Sequence, residues 1–337
     1  MNRPRILIVS PATAAANNGN WQTAVRWARL LRPWYACSVV QHWIGQPADV
    51  LLALHARRSA DSVARWAQAQ GVAADAPGLA LVLTGTDVYR DIQTDAAAQA
   101  SLRAARQLVV LQPRATRSLP AAMQAKTRVI FQSVSTRQTL PKTTRHLRAV
   151  MVGHLREEKS PQTLFAAAAL LHDQPDVLID HIGQALDADL GAQAQACARA
   201  YPNYRWLGAL PHGRTRSHIQ RAHVLVHTSR MEGGAHVLME AVCSGTPVLA
   251  SRIEGNVGML GEDYAGYFDH GDARALAHLL LRCRTDAVFF KQLQAQCAAR
   301  APLFAPPLEQ AALQQLVQAL SSVIAPPTFD LSPYAIS

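Results

Sequence analysis

The densest run of groups able to do chemistry is Ser229-Arg230-Met231-Glu232-Gly233-Gly234-Ala235-His236-Val237-Leu238-Met239-Glu240-Ala241. An apolar stretch precedes it and helical periodicity follows, so it reads as a strand-to-helix junction. Gly233 and Gly234 leave backbone N–H groups open to a close ligand. A helix beginning there turns its positive end to the same spot, which suits a phosphate. Glu232 and Glu240 flank that anion position. Eight helical residues rise about 12 Å, so the two carboxylates could accept hydroxyl hydrogen bonds from the sugar and ribose ends of a sugar nucleotide. Taken alone, an E-x7-E spacing means only a helix-terminal acid and a solvated one. Its context adds weight: in Cys243-Ser244-Gly245-Thr246-Pro247-Val248-Leu249-Ala250 a glycine ends the helix and a proline opens the next strand.

Three further loops carry polar groups at strand ends. Gly153-His154-Leu155-Arg156-Glu157-Glu158-Lys159 offers cations on a strand-to-helix loop, and a solvated basic loop is the other reading. Gly19 and Asn20 close the Asn17-Asn18-Gly19-Asn20 turn after the first strand, where a loop approaches a ligand closely. Leu54-His55-Ala56-Arg57-Arg58 and Thr84-Gly85-Thr86-Asp87-Val88-Tyr89-Arg90 open on the same side. His55 reads equally as a general base and as a structural hydrogen-bonding residue. Arg57 and Arg58 side by side suit a compact polyanion. Asp87 reads as an acceptor-side contact or as a cap on the turn that follows.

The elements that must position these groups follow from the alternation of short apolar runs with helical patterns, the signature of β-α-β units and parallel sheets. Strands are expected at residues 5–10, 36–43, 49–54, 79–84, 107–112 and 128–132, then at 148–153, 177–183, 204–208, 223–229 and 247–252. A polar, basic stretch with Pro141 inside it divides the two series. The domains are therefore drawn at residues 1–145, the acceptor side, and 146–322, the donor side, with the last helices able to pack back on the first domain and a tail at 323–337. The expected fold class is α/β, two Rossmann-like doubly wound domains facing a cleft. Ser160 before Pro161 reads as an N-cap for a helix to about residue 172, and residues 272–322 read as purely helical.

At 337 residues, 49% apolar and 17% charged, the chain has material for two cores and is neither disordered nor fibrous. The short apolar run at the N-terminus falls far below the roughly 20 residues of a membrane span, so no targeting segment and a cytoplasmic location are expected. Five scattered cysteines without a CxxC suggest neither a disulfide framework nor a zinc site, and metal-independent chemistry is expected. The net charge is +10, and residues 96–155 hold no acidic side chain. A solvated surface, an anionic small molecule and an anionic membrane all fit that charge. Nucleic acid fits it poorly, since Phe131 is the stretch's single aromatic residue.

S-x-x-E-G-G followed by E-A-x-x-x-G-x-P-V-x-A resembles the retaining GT-B glycosyltransferases of family 4. The resemblance implies that Glu232 contacts the donor sugar, Glu240 the ribose, and the amides of Gly233, Gly234 and Ala235 the diphosphate. Lys159 matches the family's diphosphate lysine, while the usual arginine position holds His154, with Arg156 two residues on. More narrowly, GNWQTAVRWARLLR, LLALHARRSA, LTGTDVYRD, VGHLREEK, YRWLGALP, SRMEGGA and GEDYAGYF resemble the selenosugar synthase subgroup of selenoneine biosynthesis. That resemblance implies UDP-N-acetylglucosamine as donor, selenophosphate as acceptor and a 1-seleno-sugar passed to a later enzyme. His55, Lys159 and Glu232 would be catalytic. Gly19, His154, Arg156, Lys159, Glu232 to Ala235 and Glu240 would bind the donor, and Asn20, Arg57, Arg58, Thr84, Asp87 and Arg90 the acceptor. A family 4 enzyme acting on a hydroxyl acceptor, at a membrane surface or free of one, is the alternative.

Overall fold

The computed structural model describes residues 3–12 and 19–321. Asn17, Asn18 and the tail from residue 322 lie outside the described residues. The apolar runs form strands because side chains such as those of Val50, Leu51, Leu52, Ala53 and Leu54 can be buried on both faces at once. The first series gives β1 (Arg5–Val9), β2 (Ala36–Val40), β3 (Val50–Leu54), β4 (Ala76–Leu83), β5 (Ala105–Val110) and β6 (Thr127–Val129). They pair in parallel in the order β2-β1-β3-β4-β5-β6. The second series gives β7 (Leu147–Val152), β8 (Val177–Ile182), β9 (Tyr204–Trp206), β10 (Val224–His227), β11 (Val248–Ser251) and β12 (Tyr267–Phe268), all parallel in the order β12-β11-β10-β7-β8-β9.

Each sheet reverses its winding once, between β1 and β3 in the first and between β7 and β10 in the second. Connections leave these two points toward opposite faces, so a crevice opens beyond the carboxyl ends of the strands. The loops singled out by sequence follow β3, β4, β7 and β10, and all of them lie at such ends.

The last described helix, Pro306–Leu320, does not stay with the second sheet. Its Leu313, Leu316, Val317 and Leu320 share one apolar cluster with Ile6, Ile8, Trp27, Leu31 and Leu52 of the first. A buried carboxylate ties this return: Glu309 accepts from Trp27 Nε1 at 2.7 Å, Arg26 Nε at 3.2 Å and the Ser133 backbone N–H at 2.8 Å.

The expected strands are present with ends shifted by up to three residues, and β12 is an addition whose two residues carry no periodic signal. The long helical run breaks into Ala273–Thr285, Ala287–Arg300 and Pro306–Leu320, because Asp286 caps a new helix by accepting from Phe289 N. Ser160 is not a side-chain cap. It takes a left-handed φ of 44°, and its hydroxyl bonds Glu157 O and His270 Nε2, leaving Pro161 to open the helix Pro161–Leu170. Among the described residues no helix is long and apolar enough to cross a membrane.

Candidate active site

At the winding reversal of the second sheet, the turn after β7 and the loop after β10 are laced together. Thr228 Oγ1 donates to Lys159 O at 2.7 Å, Arg230 N to Glu158 O at 3.0 Å, and Arg230 Nη1 to Glu157 Oε1 at 2.6 Å. The lacing presses Lys159 Nζ to 2.5 Å from Glu232 Oε1, with both side chains about 15% exposed. His227 Nε2, from the end of β10, lies 3.4 Å from the same oxygen. Burial by itself would raise the Glu232 carboxyl, but Lys159 and then His227 overcome it and hold it well below the usual carboxylate range. A fixed cation and a permanently ionised carboxylate therefore stand together at the head of the crevice.

Glu240 is buried rather than solvated. His212 Nε2 donates to its Oε1 at 2.6 Å, with His236 Nδ1 at 3.5 Å and Arg216 Nε at 3.8 Å. Burial opposes ionisation here too, yet the His212 and His236 hydrogen bonds bring the carboxyl down to about 2. On its far side His236 Nε2 lies 3.1 Å from Arg26 Nη1, which comes from the first domain's helix Gly19–Leu31. One polar chain thus runs from Arg26 through His236 to Glu240.

Glu232 and Glu240 are not separated by the eight residues of helix that the spacing predicted. The helix is only His236–Val242, so the four residues from Glu232 to Ala235 form a loop and no helical rise applies across them. The two glycines also do something sequence did not suggest. A Cβ on Gly233 would come within 2.3 Å of Thr84 O, and one on Gly234 within 2.8 Å of Leu111 Cβ. Both positions are the points at which the second domain's loop meets the ends of β4 and β5 of the first. Arg114 reinforces that meeting with a two-pronged grip on Glu254, at 2.8 and 2.7 Å, and a contact to Glu262.

Beneath the Thr84 contact, Asp87 is fully buried and spent on backbone. Oδ1 accepts from Thr84 N at 2.9 Å and Gly85 N at 2.8 Å, and Oδ2 from Ala56 N at 3.0 Å. The acceptor-contact expectation for Asp87 is therefore corrected: it joins the loops after β3 and β4, and no oxygen is turned to the crevice. Asp87→Ala should cost about 3 kcal/mol or more by orphaning three buried N–H groups, read as a lowered denaturation midpoint with Asp87→Asn intermediate.

Joined this way, the two loops hold His55 in a left-handed conformation, φ 74°, at the end of β3. Its Nδ1 accepts from Arg58 N at 3.4 Å, and its Nε2 lies 3.2 Å from Thr86 Oγ1 and 3.8 Å from Asp91 Oδ2. Burial lowers its pKa, against the pull of Asp87, so the ring favours the neutral form. Arg90 Nε and Arg57 Nη1 converge on Asp91 Oδ1 at 2.9 and 4.0 Å with about half of each side chain exposed, and Arg58 is exposed beside them. Thr84 is half-buried at the domain contact.

Among the donor-side candidates, His154 accepts from Gln184 N at 3.1 Å and is held below its usual pKa by burial, then by Arg156 and Lys159. These three basic groups share one field. Gly19 and Asn20 open the helix that carries Arg26, and Thr23 Oγ1 bonds Gly19 O at 2.7 Å. Sequence reasoning missed His227, His212, Arg216 and Arg26. His236 lay inside the quoted motif, one turn before Glu240, and that i,i+4 spacing was its signal. His212 and Arg216 sit on a separate helix, His212–Arg221, and only tertiary folding brings them in.

Three cations of the basic stretch are paired with acids from elsewhere in the chain. Arg114 grips Glu254, Lys126 pairs with Asp75 at 2.7 Å, and Arg148 with Asp180 at 3.0 Å. Among the described residues no three His, Cys, Asp or Glu side chains gather as a metal site would.

Two parallel α/β lobes meeting at the carboxyl ends of their strands define the GT-B fold. Residues 135–302 match the family model for Glycosyl transferases group 1. The fold is shared with the sucrose-phosphate synthase (tll1590) of Thermosynechococcus elongatus, at TM-score 0.77, 17% identity, 96% of this chain and 100% of that one. Alr3699/HepE of Anabaena, solved with UDP and glucose, superposes at TM-score 0.70, 17% identity, 95% and 100% coverage. The pneumococcal O-GlcNAc transferase GtfA, solved with UDP and GlcNAc, gives TM-score 0.62 and 16% identity over 81% of this chain, which spans 57% of that protein.

Proposed function

We propose that this chain is a glycosyltransferase taking N-acetylglucosamine from UDP-N-acetylglucosamine and passing it to selenophosphate, in selenoneine biosynthesis. The observation that carries the donor half is the Lys159–Glu232 pair, fixed by both loops at the winding reversal of the second sheet, within the residues that match the group 1 model. Lys159, with His154 or Arg156, takes the diphosphate, the amides of Gly233 to Ala235 assist, Glu232 accepts from the sugar and Glu240 from the ribose. HepE and GtfA, which share the fold, were solved with UDP. Saturating UDP should raise the melting temperature, since a ligand at 100 times its Kd adds about 2.7 kcal/mol. An unmoved melting temperature would remove the donor assignment.

The acceptor half rests on the guanidinium groups of Arg57, Arg58 and Arg90 around His55, a setting for a compact polyanion. Selenium of selenophosphate attacks the anomeric carbon as the C1–O bond to UDP breaks, and the leaving charge falls on Lys159 and its basic neighbours. Water then cleaves the P–Se bond, releasing phosphate and leaving selenium on the sugar. No metal is assigned a role.

One observation favours a second reading. Asp91 Oδ2 is buried without a hydrogen-bond partner, 3.8 Å from His55 Nε2, and an unengaged carboxylate oxygen beside an imidazole is a group able to take the proton of a hydroxyl acceptor. Selenophosphate is already anionic and needs little such help. His55→Ala should therefore lower turnover with selenophosphate by about tenfold or less, while a loss of 10²-fold or more is expected of a general base and would favour the hydroxyl acceptor.

A further inference from the structure

The opposite end of the second sheet carries a cavity that the catalytic reading does not use. It encloses about 260 Å³ between the segment joining the two domains and the amino ends of β7 and β10. Arg148 is the second residue of β7 and Gly153 follows its last, so roughly 16 Å of strand separates this cavity from the crevice.

Its lining is strongly cationic. Lys142, Arg148, Arg205 and Arg221 face a single carboxylate, Asp180. That carboxylate is 1% exposed and fully engaged, with Oδ2 accepting from Arg148 Nη1 at 3.0 Å and Oδ1 from Arg205 Nη2 at 2.7 Å. Asp180 thus anchors two guanidinium groups without neutralising the rim. Lys142 donates to Gln220 O from the connecting segment, and burial lowers its pKa to about 8. His223 has both ring nitrogens occupied, Nδ1 by Arg148 N at 2.9 Å and Nε2 by Thr143 O at 2.8 Å, so it braces the wall as a neutral ring. Lys142 and Arg148 are partly buried while Arg205 and Arg221 reach solvent at the mouth, so four cations converge on one carboxylate and leave a net positive charge for an anion to meet. The volume suits a diphosphate-sized group and is small for a nucleotide.

We propose that this cavity is a second anion site, separate from the crevice, that binds a small phosphate-class polyanion through Lys142, Arg221 and the outward N–H groups of Arg148 and Arg205. Half of its wall is the interdomain segment, so an occupant fastens that segment to the second domain.

Pyrophosphate titration of the full chain by calorimetry tests this. A Lys159→Ala variant, altered only in the crevice, should still bind one pyrophosphate. Adding Lys142→Ala and Arg221→Ala in that background should weaken the remaining binding at least tenfold. The melting temperature should hold within a few degrees, since neither side chain holds Asp180. No pyrophosphate binding in Lys159→Ala, or undiminished binding in the triple variant, overturns the proposal. Two pyrophosphates bound by Lys159→Ala, one of them lost on adding Lys142→Ala and Arg221→Ala, would support this site while faulting the Lys159 assignment, so the two readings fail separately.

Discussion

Lys159→Ala should reduce turnover by about 10³-fold, with a smaller change in KM. Removing one preorganised group that meets charge developing at a leaving oxygen costs roughly 10²–10³ in kcat, and Lys159 also holds Glu232 in place through a 2.5 Å contact. Its loss leaves the buried carboxylate with His227 alone, which adds a stability penalty of about 3 kcal/mol. The double variant Lys159→Ala, Glu232→Gln separates the two effects: stability should return in part while turnover stays lost. Glu232→Ala alone should be similarly inactive. UDP release read beside thermal denaturation checks both, and near-normal turnover in a folded Lys159→Ala protein would remove the site assignment. The pH dependence follows from sign. Because the folded Glu232 carboxyl lies below its unfolded value, the pair's contribution is fully present above the ordinary carboxylate pKa. It is lost only as pH falls through the depressed value. Between about pH 5 and 8, Glu232 should therefore contribute no acid limb to activity.

Glu309→Ala should be the most destabilising single change, costing about 3–5 kcal/mol. Its side chain is fully buried and receives Arg26, Trp27 and both the amide and hydroxyl of Ser133, with Arg26 only 10% exposed. Alanine strands a buried guanidinium and an indole N–H together, and it loosens the helix Pro306–Leu320 from the first domain's core. Glu309→Gln keeps the shape and part of the bonding and should cost less. Denaturant unfolding checks the order, and equal stability of Glu309→Ala and the unaltered protein would contradict it. Loosening the same region frees Arg26 from His236, so a weaker apparent affinity for donor should accompany the instability.

The strands were legible because a strand covered on both faces must be apolar almost throughout, as Val50 to Leu54 are, and few other local arrangements demand that. Glycine and proline at the right offsets made the loop after β10 legible as well. The pairing of Lys159 with Glu232 was not. Each lay in a quoted motif, but the contact between them is a product of the winding order that makes β7 and β10 neighbours. Histidine partners on other elements, His212 above all, carry no local pattern. Asp87 shows a different limit. A carboxylate that meets a ligand and one that collects three backbone N–H groups look alike in sequence, and only burial tells them apart. The acid-free stretch shows the same limit: some of its cations fold toward acids distant in sequence, such as Glu254 and Asp180, and no local pattern says which.

The most direct measurement is mass spectrometry of the purified chain with UDP-N-acetylglucosamine and selenophosphate, beside a control with donor alone. A selenium-bearing sugar formed with an equal amount of UDP, and absent from the control, is the expected result. Donor left unconsumed, or UDP released with no selenium in any sugar, would contradict it.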